Sequence, residues 1–135
     1  MADDARPTIY PFLRYDDAPA ALDWLARAFG FQKTMEVEGP NRSIAHAQMS
    51  FGTGVVMLGS ARADTTMPEP EDALAARHGI YVAVDDVDAH YERATAAGAE
   101  ITLELEDTDY GSREYSARDL EGYHWSFGTY RPAAA

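Results

Sequence analysis

Apolar and polar residues alternate with a period of two along eight short stretches of the chain. They are Thr8–Tyr15, Gln32–Val37, Ser43–Phe51, Val55–Leu58, Ile80–Val84, Glu100–Glu106, Arg113–Arg118 and His124–Tyr130. That period predicts half-buried β-strands. Two stretches carry helical spacing instead. Ala18, Leu22, Leu25 and Phe29 fall on one helix face, as do Val87, Tyr91, Ala94 and Gly98. Asp17, with Pro19 in the first turn, is the predicted N-cap of the first helix, and Asp86 that of the second. Gly30 and Gly98 end the helices as left-handed caps do. Each half therefore reads β-α-β-β-β.

The halves resemble each other in sequence. Tyr15-Asp16-Asp17-Ala18 parallels Val84-Asp85-Asp86-Val87 at an offset of 69. His46 to Gly54 parallels Glu114 to Gly122 at an offset of 68. Two pairs in the same order, agreeing within one residue, indicate an internal duplication. The one-residue slip falls at the helix, where the first copy is longer. This predicts one domain over residues 1–135, with repeat halves at 8–58 and 79–130. The Pro- and acid-rich segment 59–78 is the predicted linker, with one helical turn at 73–77. The last four residues read as a frayed tail.

Composition narrows the functional classes. The 135 residues include 23 acidic and 11 basic side chains, for a formal net charge of −12. Phosphate backbones demand a basic face, so neither nucleic acid nor an anionic membrane surface is an expected partner. An acidic shell attracts cationic ligands. The absence of cysteine excludes a disulfide framework, a thiolate metal site and a cysteine nucleophile. The N-terminus is acidic and lacks an apolar core, and no apolar run approaches the ~18 residues of a membrane span. A soluble cytoplasmic protein is the expectation. No nucleophile elbow, Gly-rich phosphate loop or dinucleotide fingerprint is present.

The segment Arg118-Asp119-Leu120-Glu121-Gly122-Tyr123-His124-Trp125-Ser126-Phe127-Gly128-Thr129-Tyr130 resembles the Asp-Pro-Asp/Glu-Gly turn and closing strand of the vicinal oxygen chelate superfamily. That group holds glyoxalase I, bleomycin-resistance proteins, fosfomycin-resistance enzymes and extradiol dioxygenases. Leu120 stands where proline is usual. The resemblance runs from Thr8 to Arg131. It implies an α+β fold in which tandem βαβββ modules form a curved, partly closed sheet around a ligand cavity, with helices on the convex face.

Strand parity then sorts the residues. The apolar parity, facing the helices, is Ile9, Pro11, Leu13 and Tyr15 on the first strand and Tyr123, Trp125 and Phe127 on the last. Trp24 belongs to the core or an interface. The cavity parity comprises Tyr10, Phe12, Arg14, His46, Gln48, Ser50, Val56 and Leu58. In the second half it comprises Gly79, Tyr81, Ala83, Glu114, Ser116, Arg118, His124, Ser126 and Gly128. The alternative is that this parity is plain solvated sheet. Residues 107–113, with Tyr110, form a mobile rim on this reading.

The superfamily's metal is held by His, Gln or Glu at four strand positions. Counting from the repeat motifs puts Tyr10, Leu58, Gly79 and Ser126 there. Glycine and leucine offer no donor, so no metal and no other cofactor is expected. A one-residue shift would bring in His78 at the expense of turning Ile80, Val82 and Val84 into the cavity. His46, Glu114 and His124 form an alternative constellation suited to zinc or iron, and His46 or Glu114 is a candidate general base. His90 reads as a solvated helix residue. The expected function is metal-free binding of a small aromatic or cationic molecule, as in drug sequestration. The ligand-binding residues are then Tyr10, Phe12, Arg14, His46, Gln48, Leu58, Tyr81, Tyr110, Glu114, Arg118, His124 and Ser126, in a homodimer. The competing expectation is a lyase, isomerase or dioxygenase using the alternative site or a metal-free acid–base pair. A dimerising scaffold with a vestigial cavity is a third.

Overall fold

The structure, a computed structural model, describes residue 7 and residues 9–61 and 78–132. The expected strand start at Thr8, the helical turn at 73–77, the acidic first residues and the end of the tail lie outside the described residues. The chain divides into two compact units, Met1–Pro68 and Glu69–Ala135.

The first unit contains β1 (Phe12–Tyr15), α1 (Ala18–Trp24), a π-helical turn (Leu25–Phe29), β2 (Gln32–Glu38), a 3₁₀ turn (Pro40–Arg42), β3 (Ile44–Phe51) and β4 (Gly54–Ser60). The second contains β5 (Ile80–Ala83), α2 (Val87–Ala96), β6 (Glu100–Asp107), β7 (Arg113–Arg118) and β8 (His124–Gly128). Their sheets have the same order, β1-β4-β3-β2 and β5-β8-β7-β6. The β1–β4 and β5–β8 pairs are parallel, and the others are antiparallel. The fold is α+β, built from two βαβββ modules.

Both helices begin as the sequence predicts. The Asp17 and Asp86 carboxylates each accept a backbone N–H three residues on, from Ala20 and Ala89, at 3.1 Å. Each bond satisfies one of the orphan donors of a helix start. The helix ends explain the first sequence slip. Gly30 has φ 82° and its N–H reaches both Ala26 O and Leu25 O. The bond to Leu25 spans five residues, so the additional residue of the first copy is absorbed as a π turn. The second copy lacks that residue and closes without such a turn, at Gly98 with φ 91°.

A second slip lies in the turns before the last strands. β3 and β4 are joined by Gly52-Thr53, so that Ser50 faces Val55. β7 and β8 are joined by Asp119–Tyr123, so that Arg118 faces His124. The second turn holds one residue more between matched partners. The offset therefore returns to 69, and Ser126 corresponds to Met57. In agreement, Tyr81 pairs with Ser126 as Phe12 pairs with Met57.

One face of each sheet is packed. In the first unit Leu13, Tyr15, Ala47, Met49, Val56 and Leu58 are buried with Leu22, Leu25 and Phe29 of the helical segment. In the second, Tyr115, Ala117, Trp125 and Phe127 are buried with Val87 and Ala94. Phe127 stacks against Tyr115 at 5.2 Å and against Trp125 at 6.3 Å. Trp24 is half-buried, its ring edge-on to Phe29 at 5.0 Å.

Several expectations are corrected here. Ile9 is 85% exposed because β1 begins only at Phe12, which leaves Ile9 and Tyr10 ahead of the ladder. His90 is buried rather than solvated. Its Nδ1 lies 2.7 Å from the Tyr115 hydroxyl and its ring 4.3 Å from that of Phe127. The phenol beneath the helix supplies the partner that makes burying an imidazole tolerable. Burial also raises the Tyr115 phenol above its ordinary pKa. The shifted register that would recruit His78 is not adopted: Ile80 and Val82 pair with Trp125 and Phe127 on the packed side. Among the described residues, no helix is long and apolar enough to cross a membrane.

Candidate functional site

The unpacked face of each sheet carries most of the expected site residues. In the first unit, Phe12 faces Met57, Met57 faces Gln48, and Gln48 faces Met35 across four strands. The next rows place Arg14 opposite Gly59 and His46 opposite Val37. The His46 and Gln48 side chains meet at 3.0 Å between Nε2 atoms. Phe12, Met35 and Val37 are each close to half exposed. Leu58 is not on this face. It is fully buried against the helix side, opposite Leu13 and Ala47. The cause is the shorter β3–β4 turn, since a one-residue displacement along a strand reverses its face. Val56 is corrected in the same way. Met57 takes the place expected of Leu58.

In the second unit one row runs Tyr81, Ser126, Ser116 and Leu103. Ser116 and Ser126 share a hydroxyl hydrogen bond of 2.8 Å. The adjacent row holds Glu114 opposite Gly128. Arg118 lies opposite His124 and pairs with Glu100 at 3.6 Å. Glu114 and His124 thus stand four residues apart along the ladder, or about 13 Å. Among the described residues they belong to no group of three His, Asp or Glu side chains that could hold a metal.

What does converge is a cluster of tyrosines about Glu114. The Tyr110 hydroxyl donates to Glu114 Oε2 at 2.9 Å. The Tyr81 hydroxyl donates to the Tyr130 carbonyl at 2.7 Å. The Tyr110 and Tyr130 rings meet edge-on at 6.1 Å. The segment expected as a mobile rim is tied at both ends. Thr108 N–H donates to Ser112 O at 2.7 Å, and Ser112 Oγ accepts from Tyr130 N–H at 3.1 Å. Hydrogen bonding to Glu114 raises the Tyr110 phenol, and burial, assisted by the Glu114 charge, raises that of Tyr81. Both phenols are therefore neutral donors at physiological pH.

Sequence reasoning missed Tyr130, Met57, Met35, Val37 and Leu103. The last three lie on the correct parity of strands that were read correctly. It also missed why residue 128 is glycine. A Cβ there would lie 2.6 Å from Glu114 Cγ and 2.7 Å from the Tyr81 hydroxyl. Gly128→Ala is expected to push both side chains aside and cost about 1–3 kcal/mol. Urea unfolding measures the loss, and near-UV circular dichroism reports the displaced tyrosine.

A depression of about 430 Å³ lies elsewhere in the first unit, at Asp16, Asp17, Asn41, Arg42 and Ser60. Asn41 and Arg42 both adopt positive φ in its wall, at 56° and 64°.

Residues 9–127 match the model of the Glyoxalase/Bleomycin resistance protein/Dioxygenase superfamily. The chain belongs to that superfamily. An uncharacterised protein of Mycobacterium bovis is 33% identical over 136 residues, covering 95% of this chain and 86% of its own. The crystal structure of TioX from Micromonospora sp. ML1 is 36% identical, with a TM-score of 0.74, covering 96% of this chain and all of that one. A glyoxalase I mutant from Zea mays shares the fold at 18% identity and a TM-score of 0.70, with 91% of this chain matching 45% of the maize protein.

Carried over from the resemblance with the turn slip corrected, the superfamily's four metal positions would fall on Tyr10 and Met57 in the first unit and on Gly79 and Ser126 in the second. Glycine has no donor, the Met57 thioether is soft, and the Ser126 hydroxyl is bonded to Ser116. This set does not fit a hard divalent cation. Among the described residues, no three His, Asp or Glu side chains are grouped to hold a metal.

Proposed function

We propose that the protein binds a small aromatic or cationic organic molecule on the unpacked faces of its sheets and sequesters it without transforming it. It does so without a metal at the superfamily positions, as a cytoplasmic homodimer. One observation carries this reading: those faces present large apolar side chains to solvent. Phe12, Met35 and Val37 do so in one unit and Tyr81 and Leu103 in the other, where the exposed Tyr110 and Tyr130 join them from outside the strands. A purely solvated sheet face has no use for such a set, and contiguous exposed apolar surface marks a binding site. Polar groups stand at fixed points among them, Gln48 and His46 on one face and Glu114 on the other. The misfit of the metal positions supports binding over Lewis-acid catalysis. The TioX likeness supports a superfamily member of this length.

Thermal denaturation against a panel of aromatic and cationic compounds tests the proposal. A ligand at a hundred times its Kd stabilises by about 2.7 kcal/mol, a rise in Tm on the order of 10 °C. Phe12→Ala and Tyr81→Ala are expected to diminish that rise. A panel without any shift overturns the reading. Stoichiometric metal in the purified protein, lost in His46→Ala, overturns its metal-free part.

A further inference from the structure

This inference rests on the ligand-binding reading and narrows it. We propose that the second unit holds a seat for an organic ammonium ion, with Glu114 as counter-charge and Tyr81, Tyr110 and Tyr130 as its aromatic walls.

Glu114 stands half-buried on the unpacked face, over the bare backbone of Gly128. The close approach of Glu114 Cγ and the Tyr81 hydroxyl to that glycine shows that both side chains lean over the same spot. Tyr110 reaches the carboxylate from the loop, and its ring contacts Tyr130, whose carbonyl holds Tyr81. Three aromatic rings and one carboxylate are thereby linked in a single cluster.

No cationic side chain neutralises that carboxylate among the described residues. The neighbouring Arg113 turns away and binds Asp88 at 2.8 Å and Asp107 at 3.1 Å. Arg118 pairs with Glu100 and Arg131 with Asp85. Nearby basic groups are thus engaged by other acids. Glu114 is only half-buried and accepts the Tyr110 hydroxyl through Oε2.

This chemistry selects an ammonium ion. Aromatic faces attract cations through the negative potential of the ring, more strongly where the pair is desolvated. A half-buried carboxylate attracts them more strongly than one in bulk water. A single carboxylate among phenols is too poor a donor set for a metal ion. Net charge −12 raises the local concentration of cations and repels anions.

Choline and its uncharged carbon isostere, 3,3-dimethylbutan-1-ol, test the charge requirement at nearly constant shape. Binding is followed by NMR of the tyrosine ring resonances. Choline is expected to shift Tyr81, Tyr110 and Tyr130 saturably, and the isostere to bind about tenfold more weakly. The isosteric Glu114→Gln, which preserves the packing, should weaken choline about tenfold and leave the isostere unchanged. Equal affinities, indifference to Glu114→Gln, or unmoved tyrosines at saturating choline would overturn the seat. Should neutral aromatics stabilise the protein while choline leaves the tyrosines unmoved, ligand binding stands and the ammonium seat falls. Failure of both probes removes both proposals.

Discussion

Asp119→Ala is expected to cost about 3–5 kcal/mol of stability, because one buried carboxylate organises the whole β7–β8 turn. Asp119 is 6% exposed. Its Oδ1 accepts the N–H groups of Glu121 and Tyr123, each at 3.0 Å, and its Oδ2 accepts the indole N–H of Trp125 at 3.1 Å. Charge-assisted bonds of this kind are individually stronger than neutral ones. Removing the carboxylate strands three donors, and the indole donor sits in the core, where water cannot replace the lost partner. Asp119→Asn should recover part of the loss, since one oxygen survives while the amide nitrogen meets another donor. The exposed neighbour Glu121 supplies the control, with Glu121→Ala expected within about 0.5 kcal/mol of the parent. Urea titration at a fixed temperature ranks the three. A loss for Asp119→Ala as small as that for Glu121→Ala would mean that the turn is held by its backbone alone.

This turn was the most specific piece of family resemblance in the sequence, and its physics explains why it is legible. The Asp side chain bonds within six residues of itself, so composition and spacing are enough to recognise it. The helix caps at Asp17, Asp86, Gly30 and Gly98 are legible for the same reason. Strand parity is also local, and it placed Leu13, Tyr15, Trp125 and Phe127 inside. Information carried by distant partners was less accessible. His90 is buried only because Tyr115, twenty-five residues away, offers a hydroxyl. The helical period alone points to Tyr91, which is half-buried instead. The Glu114 cluster depends on Tyr110 and Tyr130, two residues outside the strands, being drawn in by Ser112 and Tyr81. Period-two alternation carries no trace of such a convergence. Gly128 has no unusual φ to advertise its role, and only the side chains leaning over it reveal why it must be bare.

The duplication shows how a correct global reading can still misplace a single side chain. A constant offset counted from the turn glycines assigned Leu58 to the unpacked face. Two opposite one-residue adjustments separate the copies, the π turn at Leu25–Phe29 and the longer turn at Asp119–Tyr123. Each local motif matches well, while the register between motifs depends on turn geometry.

Leu58→Ala and Met57→Ala test this register directly, with opposite expectations for adjacent residues. Leu58 is fully buried between Leu13 and Ala47. Truncating it leaves a cavity beneath the helical segment and should cost about 2–5 kcal/mol. Met57 is half-buried on the other face, opposite Phe12 and Gln48. Its truncation should cost less than about 1 kcal/mol and should reduce the affinity of any ligand seated there. Equilibrium unfolding separates the two substitutions well beyond experimental error. The reverse ranking would return Leu58 to the unpacked face and require β4 to slide by one residue against both neighbours. That slide would also expose Val56 and bury Met57, which the Phe12–Met57–Gln48 row contradicts. The expected ranking therefore fixes which residue of β4 stands on the unpacked face, where the resemblance would put a metal ligand. A thioether there, like the leucine it replaces in the count, leaves that position without a ligand for a hard cation.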